Sequence, residues 1–502
     1  MQGRSDPNRE LLDAASLCRQ LVREGSVEAF LADHRLDLFP DQLFEDLFPS
    51  NRGRPSVPAD VVASVMVLQA LEGLSDRDAG RALRDRISWK VACGLALDDE
   101  GFDATVLTYW RARLRRSERP ERIFEAVREV VAATGVLMGK TRRALDSTLL
   151  DDAVATQDTV TQLISAIRRV RREVPGARKV AVGAHDYDTA GKPGIAWDDP
   201  VAKAALIDGL VKDALSLLAA LEITEQTQEA LGLLALVAGQ DVEQGDDGTW
   251  HIAQRVAPDR VISTVDPEAR HMHKSRAEYR DGYKAHVCVE PETGLVTGCA
   301  LTPANASDAT AGVALLSGED PGLQVLGDGA YGSGEALASL VTAGHEPAVK
   351  PFPISASKGV FPRDAFVVDE VAGTATCPAG HTVAITRTRR AVFGRRCAQC
   401  PLRPCCTTRE RGRTLQLHRY DALLVESRRA WREGEFAAAY RRWRPMVERS
   451  IAWLVSHGNR RVRFRGVARN QLGLSTRVAA LNLRRLIALG LEHRDGWVLE
   501  IA

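Results

Sequence analysis

Apolar positions recur at helical spacing through the first part of the chain. Val61 through Leu71 is an apolar-rich run, Gly73 breaks it, and Ser75-Asp-Arg-Asp78 reads as a capping box opening a second run, Ala79 to Trp89. A third helix, Thr105 to Arg116, is basic and carries Trp110, Arg111, Arg113, Arg115 and Arg116. Helix, glycine turn and capped helix resemble a helix-turn-helix, with Arg111 and Arg113 as candidate DNA contacts. Any helical hairpin has the same pattern, so the motif alone does not decide between them.

The pattern changes at Ala144 to Leu150, which reads as a strand. Two periodic helical stretches follow, Val160 to Val174 and Ala204 to Val237, separated by the loop His185-Asp-Tyr-Asp188 and by Pro193. Extended runs return at Arg260 to Val265, Gly282 to Val289 and Leu295 to Leu301, the last two joined by the turn Glu290-Pro-Glu-Thr-Gly294. A helix near Ala309 to Leu316, a strand ending at Asp328, a helix from Gly334 to Ala343 and an extended piece, His345 to Pro351, complete a mixed α/β order with a hairpin beside a parallel element. Pro362 to His418 has little periodicity. Helical pattern resumes from Asp421 to His457, with a kink or restart expected at Pro445.

A length of 502 residues is enough for roughly three domains. No signal-peptide pattern is present, and even Leu231-Gly-Leu-Leu-Ala-Leu-Val-Ala238 falls far short of the roughly 20 apolar residues a membrane span needs. The expectation is a soluble, cytoplasmic protein. The net charge of +1 conceals an asymmetry: Arg387 to Arg485 holds 25 arginines, no lysine and 6 acids. Such a segment suits a phosphate-rich partner, with arginine favoured for bidentate contact. A GC-rich coding preference would explain the choice of arginine but not its clustering.

The nine cysteines divide in two. Cys18, Cys93, Cys288 and Cys299 stand in apolar surroundings and read as reduced core residues. The others crowd into Cys377-Pro-Ala-Gly-His381 and Cys397-Ala-Gln-Cys400-Pro-Leu-Arg-Pro-Cys405-Cys406. Without secretory features this spacing fits four thiolates around a structural Zn²⁺ better than disulfides, with Cys377, Cys397, Cys400 and Cys406 as ligands. Cys405 and His381 are the substitutes, and free or redox-active thiols are the competing reading. A closed four-thiolate shell leaves no open position for chemistry.

Asp328 ends an apolar run and is followed at once by glycine, which places it at the carboxyl edge of a sheet. Asp146 closes Ala144-Leu145 in the same way, and two such acids suggest a divalent-metal site. Tyr440, Arg444 and Glu448 lie at intervals of four and share a face if the helix runs through Pro445, while Val447, Ile451 and Leu454 form the neighbouring apolar face. A surface pair between Arg444 and Glu448 is the simpler reading of that spacing taken alone.

Two acids at strand ends and one on a late helix resemble the carboxylates of a ribonuclease H-like nuclease core. The chain as a whole resembles the DDE transposases of bacterial insertion sequences, in the subgroup with a cysteine-bearing insertion before the last acid. The marks of this resemblance, in order, are Phe48-Pro-Ser-Asn-Arg-Gly-Arg-Pro55, Gly73-Leu-Ser-Asp-Arg-Asp78, Leu145-Asp-Ser-Thr148, Asp266-Pro-Glu-Ala-Arg270, Gly282-Tyr-Lys-Ala-His286, Thr302-Pro-Ala-Asn305 with Asp308, Gly327-Asp-Gly-Ala-Tyr-Gly332, the cysteine cluster, and Tyr440 through Glu448. It implies an α/β fold: a ribonuclease H-like mixed sheet flanked by helices, an all-α N-terminal domain over 1–138, a catalytic core over 139–361 and 419–490 with a helical insertion at about 151–255, and a small zinc-held insertion over 362–418.

The resemblance further implies Asp146, Asp328 and Glu448 as Mg²⁺ (or Mn²⁺) ligands, with Arg444 and Tyr440 beside them. Lys284, His286, Arg460 and Arg461 are then further candidate DNA contacts. The implied partners are double-stranded DNA, as element ends and target, and a second copy of the chain on that DNA, with no membrane and a nucleoid-associated location. The chain departs from the family pattern twice: Tyr440 stands one position further from Arg444 than usual, and the position expected to be basic is Val455. Arg449, Arg460 or Arg461 are candidates for that basic role. The implied activity is cleavage of DNA at the element ends followed by transfer of the 3′-hydroxyl strand. A catalytically inactive, zinc-stabilised DNA-binding descendant and a stand-alone nuclease are the alternatives.

Overall fold

The computed structural model describes residues 1–5, 12–50, 52–254, 257, 259–273, 279–352 and 359–500. Asn51, in the Phe48 to Pro55 mark, lies outside them. Among the described residues the chain opens with seven α-helices: α1 (Ala14–Cys18), α2 (Val27–Leu38), α3 (Ala59–Glu72), α4 (Asp76–Asp85), α5 (Ile87–Cys93), α6 (Thr105–Arg116) and α7 (Arg122–Ala133). The predicted breaks hold. Gly73 ends α3 in the left-handed conformation, φ 67°, and Ser75 Oγ accepts the Asp78 N–H at 3.1 Å to start α4. Gly73 is also a point of close approach: a Cβ there would stand 2.1 Å from the carbonyl oxygen of His457. Helix α3 is buried from Ala59 to Gln69, so it is a core helix with no free face for a groove.

Strand β1 (Arg142–Asp151) leads into an insertion of α8 (Thr159–Glu173), α9 (Pro200–Ala220), α10 (Gln228–Gln240) and a small hairpin, β2 (Val242–Gln244) with β3 (Trp250–Ile252). The insertion has its own hydrophobic cluster, built on Leu163, Ile167, Leu210, Leu217 and Leu234. The sheet resumes with β4 (Arg270–His273), β5 (Tyr279–Glu290), β6 (Leu295–Pro303), β7 (Gln324–Gly327) and β8 (Glu346–Val349); α11 (Asp308–Ala314) follows β6 and α12 (Gly334–Thr342) follows β7. The strand expected at Arg260 to Val265 is absent, because side-chain amides take its backbone: Gln162 Nε2 donates to the Val261 carbonyl (2.9 Å) and Gln240 Oε1 accepts its N–H (2.9 Å). Val261 makes only an isolated bridge to Arg270.

The sheet order is β4-β5-β1-β7-β8, with β6 on β5. Strand β1 pairs antiparallel with β5 and parallel with β7. A hairpin on one side of a central strand and two parallel strands on the other make a mixed α/β sheet, compatible with the ribonuclease H-like core that the resemblance implies. Gly282 adopts φ 143°, and a Cβ there would lie 2.2 Å from the Leu150 carbonyl oxygen, so glycine is what lets β5 lie against β1. Tyr283 beside it donates its hydroxyl to Asp266 (2.7 Å), which links two of the marks named above.

The cysteine segment forms short strands, β9 (Val367–Asp369), β10 (Thr374–Thr376), β11 (Thr382–Ala384), β12 (Arg390–Val392) and β13 (Thr414–Gln416), around a separate cluster that includes Phe366, Phe393, Cys397 and Cys406. Helices α13 (Asp421–Glu433), α14 (Ala437–Val455) and α15 (Val467–Ala488) follow, then the hairpin β14 (Leu491–His493) and β15 (Trp497–Leu499). The helical run breaks at Gly434, φ 78°, and continues through Pro445. Arg441, whose carbonyl loses its helical donor to Pro445, is exposed, so water can satisfy it.

Helix α15 packs against β6 and against α2, α3, α6 and α7. Its Asn482 exchanges two hydrogen bonds with the backbone of Val296 (2.9 and 2.8 Å), and Gln471 accepts the Leu301 N–H (2.7 Å), so the β6 edge is covered. The N-terminal helices, the sheet and the last helices therefore share one hydrophobic core. Arg477 of α15 donates to the carbonyls of Ala70 and Leu71 and to those of Trp453 and Leu454, capping the ends of α3 and α14 at once.

Candidate active site

Sheet register brings the first two acids together. Ala144 of β1 stands opposite Leu326 of β7, and the same parallel register carried two residues on sets Asp146 beside Asp328. Strand β7 has ended by then, so β1 loses its neighbour on that side where its first acid stands. Residues abreast in parallel strands point to the same face. Asp328 is fixed by its own turn, its Oδ1 accepting the Ala330 N–H at 3.0 Å, and Asp146 Oδ1 accepts the Ser147 N–H at 2.8 Å.

The third acid arrives on α14, which packs against β1, β5 and β7 through buried Val447, Ser450 and Leu454. Arg444, on the buried side, reaches Asp146 Oδ2 at 2.9 Å and Glu448 Oε1 at 3.5 Å, joining two of the acids through one guanidinium. Its Nε and Nη1 are buried with no hydrogen-bond partner among the described residues. The Glu448 side chain is 66% exposed. Tyr440, one turn earlier, packs edge-on to Trp431 at 5.3 Å. Burial pushes the Asp146 carboxyl up from its ordinary range; Arg444 pulls it back and the charge of Asp328 adds to the push. Burial also raises the Tyr440 phenol, and the charges of Asp328, Glu448 and Asp146 act on it in the same sense.

Behind the acids lies a buried network that the sequence reading did not assign. Asp308 accepts from Ser147 Oγ (2.6 Å) and Lys284 Nζ (3.2 Å), with His286 Nδ1 at 3.7 Å. Lys284 and His286 are buried, so they stand beneath the site as supports of Asp308 and not at a surface that DNA could reach directly. Burial holds His286 below the usual imidazole range, which keeps it neutral. Tyr331 is buried, and its hydroxyl, raised by burial and by the charges of Asp308, Asp146 and Asp328, has no hydrogen-bond partner among the described residues. Both Asp308 and Tyr331 belong to marks quoted above, but nothing in their spacing indicates that they meet.

The remaining candidates fall elsewhere. Arg111 is bidentate to Asp76 (2.7 and 2.8 Å) and donates to Gln69, which commits it to an internal pair, whereas Arg113 is exposed over the Phe48 ring at 4.6 Å. Arg460 donates to the Leu149 carbonyl (3.2 Å) and Arg461 to that of Asp152 (3.1 Å), since the segment after α14 pairs with the end of β1. Val455 is half-buried against the core. Much of the arginine-rich segment is likewise used internally, in clamps such as Arg477 and pairs such as Arg428 with Asp364 (2.7 Å).

The thiols of Cys377, Cys397, Cys400 and Cys406 line one pocket, and burial together with the other three thiols raises that of Cys406. Cys405 is exposed and outside the pocket, while His381 lies on its rim. Cys397 Sγ accepts the Arg413 N–H at 3.4 Å, the bond a thiolate ligand uses. No three of these sulfurs, and not the three acids either, have their ligand atoms all within 4.8 Å of one another. Both sets fit a metal by donor chemistry, thiolates for Zn²⁺ and carboxylates for Mg²⁺. No described helix is long and apolar enough to cross a membrane.

A family model described as a transposase DDE domain matches residues 376–487, and one described as a transposase domain (DUF772) matches residues 19–113. Asp146 and Asp328 lie outside both segments; Cys377 to Cys406, Tyr440, Arg444 and Glu448 lie inside the first. No curated protein and no solved structure matches the chain. With the DDE match spanning the arm that bears the third acid and the transposase match spanning the helices that share its core, the two matches together support a DDE transposase of insertion-sequence type.

Proposed function

We propose that this transposase cuts DNA at the ends of its element and joins the freed 3′-hydroxyl strand to target DNA, at a ribonuclease H-like site made by Asp146, Asp328 and Glu448. The observation that carries the proposal is the convergence of these acids: register sets Asp146 beside Asp328, and Arg444 links Asp146 to Glu448. A pair of Mg²⁺ or Mn²⁺ ions held there would activate the attacking water or 3′-hydroxyl and stabilise the leaving oxygen of a phosphodiester. Asp146, Asp328 and Glu448 would hold these ions between them, each supplying carboxylate oxygens. The Nε of Arg444, without a hydrogen-bond partner among the described residues, is a donor for a DNA phosphate, and the raised Tyr440 phenol stays protonated as a further donor. Asp308, with Lys284 and Ser147, holds the back of β1 in place.

Cys377, Cys397, Cys400 and Cys406 hold a structural Zn²⁺ that keeps the insertion folded. The duplex is contacted by exposed Arg113 and by Arg460 and Arg461 beside β1, and two copies act on it together, since two element ends must be handled.

The test is cleavage and joining of a duplex carrying the element's own terminal sequences, with Mg²⁺ or Mn²⁺, by wild type and by Asp328→Asn. Metal-dependent cutting with joined product, reduced by more than about a hundredfold in the variant, is the expected result. Cutting without joining would make the protein a nuclease. Binding without cutting by wild type would make it an inactive DNA-binding descendant.

A further inference from the structure

Outside the carboxylates and the cysteines, one other set of side chains has the composition and spacing of a metal site. His34 and Asp37 stand one turn apart on α2, and His493 lies on β14, at the far end of the chain. Asp37 Oδ2 is 3.7 Å from His34 Nδ1 and 3.7 Å from His493 Nδ1. Among the described residues this is the group of three or more metal-ligating side chains whose ligand atoms all lie within 4.8 Å of one another.

We propose that His34, Asp37 and His493 bind a divalent transition-metal ion of the zinc, cobalt or nickel class, which staples the C-terminal hairpin to helix α2. The spacing argues for a shared cation. A carboxylate paired directly with an imidazolium closes to about 2.7–2.9 Å, and neither imidazole does so here. Two ligands at about 2.0–2.1 Å from one tetrahedral ion are instead roughly 3.4 Å apart, close to what is seen. Neither histidine hydrogen-bonds to another described residue, so their nitrogens are available, and aromatic packing fixes the rings: His493 lies 4.4 Å from Trp497, and His34 lies 5.1 Å from Phe30. Two imidazoles and one carboxylate suit borderline metals, whereas Mg²⁺ and Ca²⁺ prefer all-oxygen shells. All three residues keep some solvent contact, which leaves an entry path and room for water at a fourth position. His34 and Asp37 lie within the segment matched by the DUF772 model, and His493 lies beyond both matched segments.

The test uses the full-length protein loaded with a single equivalent of Zn²⁺, which the four thiolates take in preference to two imidazoles and a carboxylate, then gel-filtered, with excess Mg²⁺ covering the carboxylates and a zinc assay of the filtered protein confirming one ion per chain. Titration with Co²⁺ should give visible d–d bands without sulfur-to-cobalt charge transfer, saturating near one equivalent and weakened more than about tenfold in His493→Ala and in Asp37→Asn. The same metal should raise the Tm of wild type and leave both variants where they melt without it; unchanged metal-free melting shows that the variants are folded. Equal cobalt uptake by wild type and variants, or none by wild type, would overturn the proposal.

Discussion

Asp328 stands where its apolar run ends, as expected, but Asp146, expected at a strand end, lies in the middle of β1 (Arg142–Asp151) and is open on one side only because pairing with β7 stops at Ala144. Glu448 was legible only through its spacing from Arg444, and the contact that matters, Arg444 to Asp146, joins residues nearly 300 positions apart that no local pattern relates. The network of Asp308, Lys284 and Ser147 was hidden for the same reason. Asp152, just past β1, shows what such crowding of acids does. Burial, with Asp281 and Asp266 nearby, pushes its carboxyl up to about 6, and its Oδ2 has no hydrogen-bond partner among the described residues. Its folded value lies above its unfolded one, so its contribution to stability is complete below the ordinary carboxylate range and is lost as pH rises through about 6. Asp152→Asn should therefore melt above wild type at about pH 8, by on the order of 1 kcal/mol after allowance for solvent contact, with the difference gone near pH 4. A thermal melt at the two pH values checks it, and a constant difference would refute it.

At the level of elements, patterning served the sheet well. β1, β5, β6, β7 and β8 all fall where apolar runs and turn residues place them. Two failures turn on a backbone hydrogen bond satisfied from outside the local pattern. Gln162 and Gln240 replaced the partner strand of Val261, and solvent at Arg441 made Pro445 tolerable, leaving Gly434 to end the helix instead. Gly282 is where element geometry and site meet, because the pairing of β5 with β1 sets the position of Asp146. Gly282→Ala puts a methyl group against the Leu150 carbonyl in a conformation alanine rarely adopts, and should cost about 3 kcal/mol. Chemical denaturation would report the loss, and a midpoint within error of wild type would show that β5 can move away freely.

For the whole molecule, the sequence divides into segments more cleanly than the core does. The insertion after β1 and the cysteine segment each close around their own cluster, but the N-terminal helices share theirs with the sheet through α15. That sharing was illegible, because the apolar face of α15 does not say which partners it serves. Separate clusters imply separate melting. A strong chelator should make the cysteine segment protease-sensitive while the main core stays resistant. Cys406→Ser should do the same without chelator and Cys405→Ser should not, as limited proteolysis with mass analysis of the fragments would show.

The place of α15 also has a consequence in time. The end of α3 and the start of α15 are separated by about 395 residues, which take roughly 20–80 s to synthesise. For that interval α2, α3 and α7 are outside the ribosome without the helix that covers them, and Arg477 is not yet made to cap α3. Glu448 emerges only shortly before α15. A chain interrupted anywhere before that point has neither a closed core nor the third of the acids proposed to hold the metals, so under the proposed function an incomplete copy would have no means of cutting the DNA that encodes it.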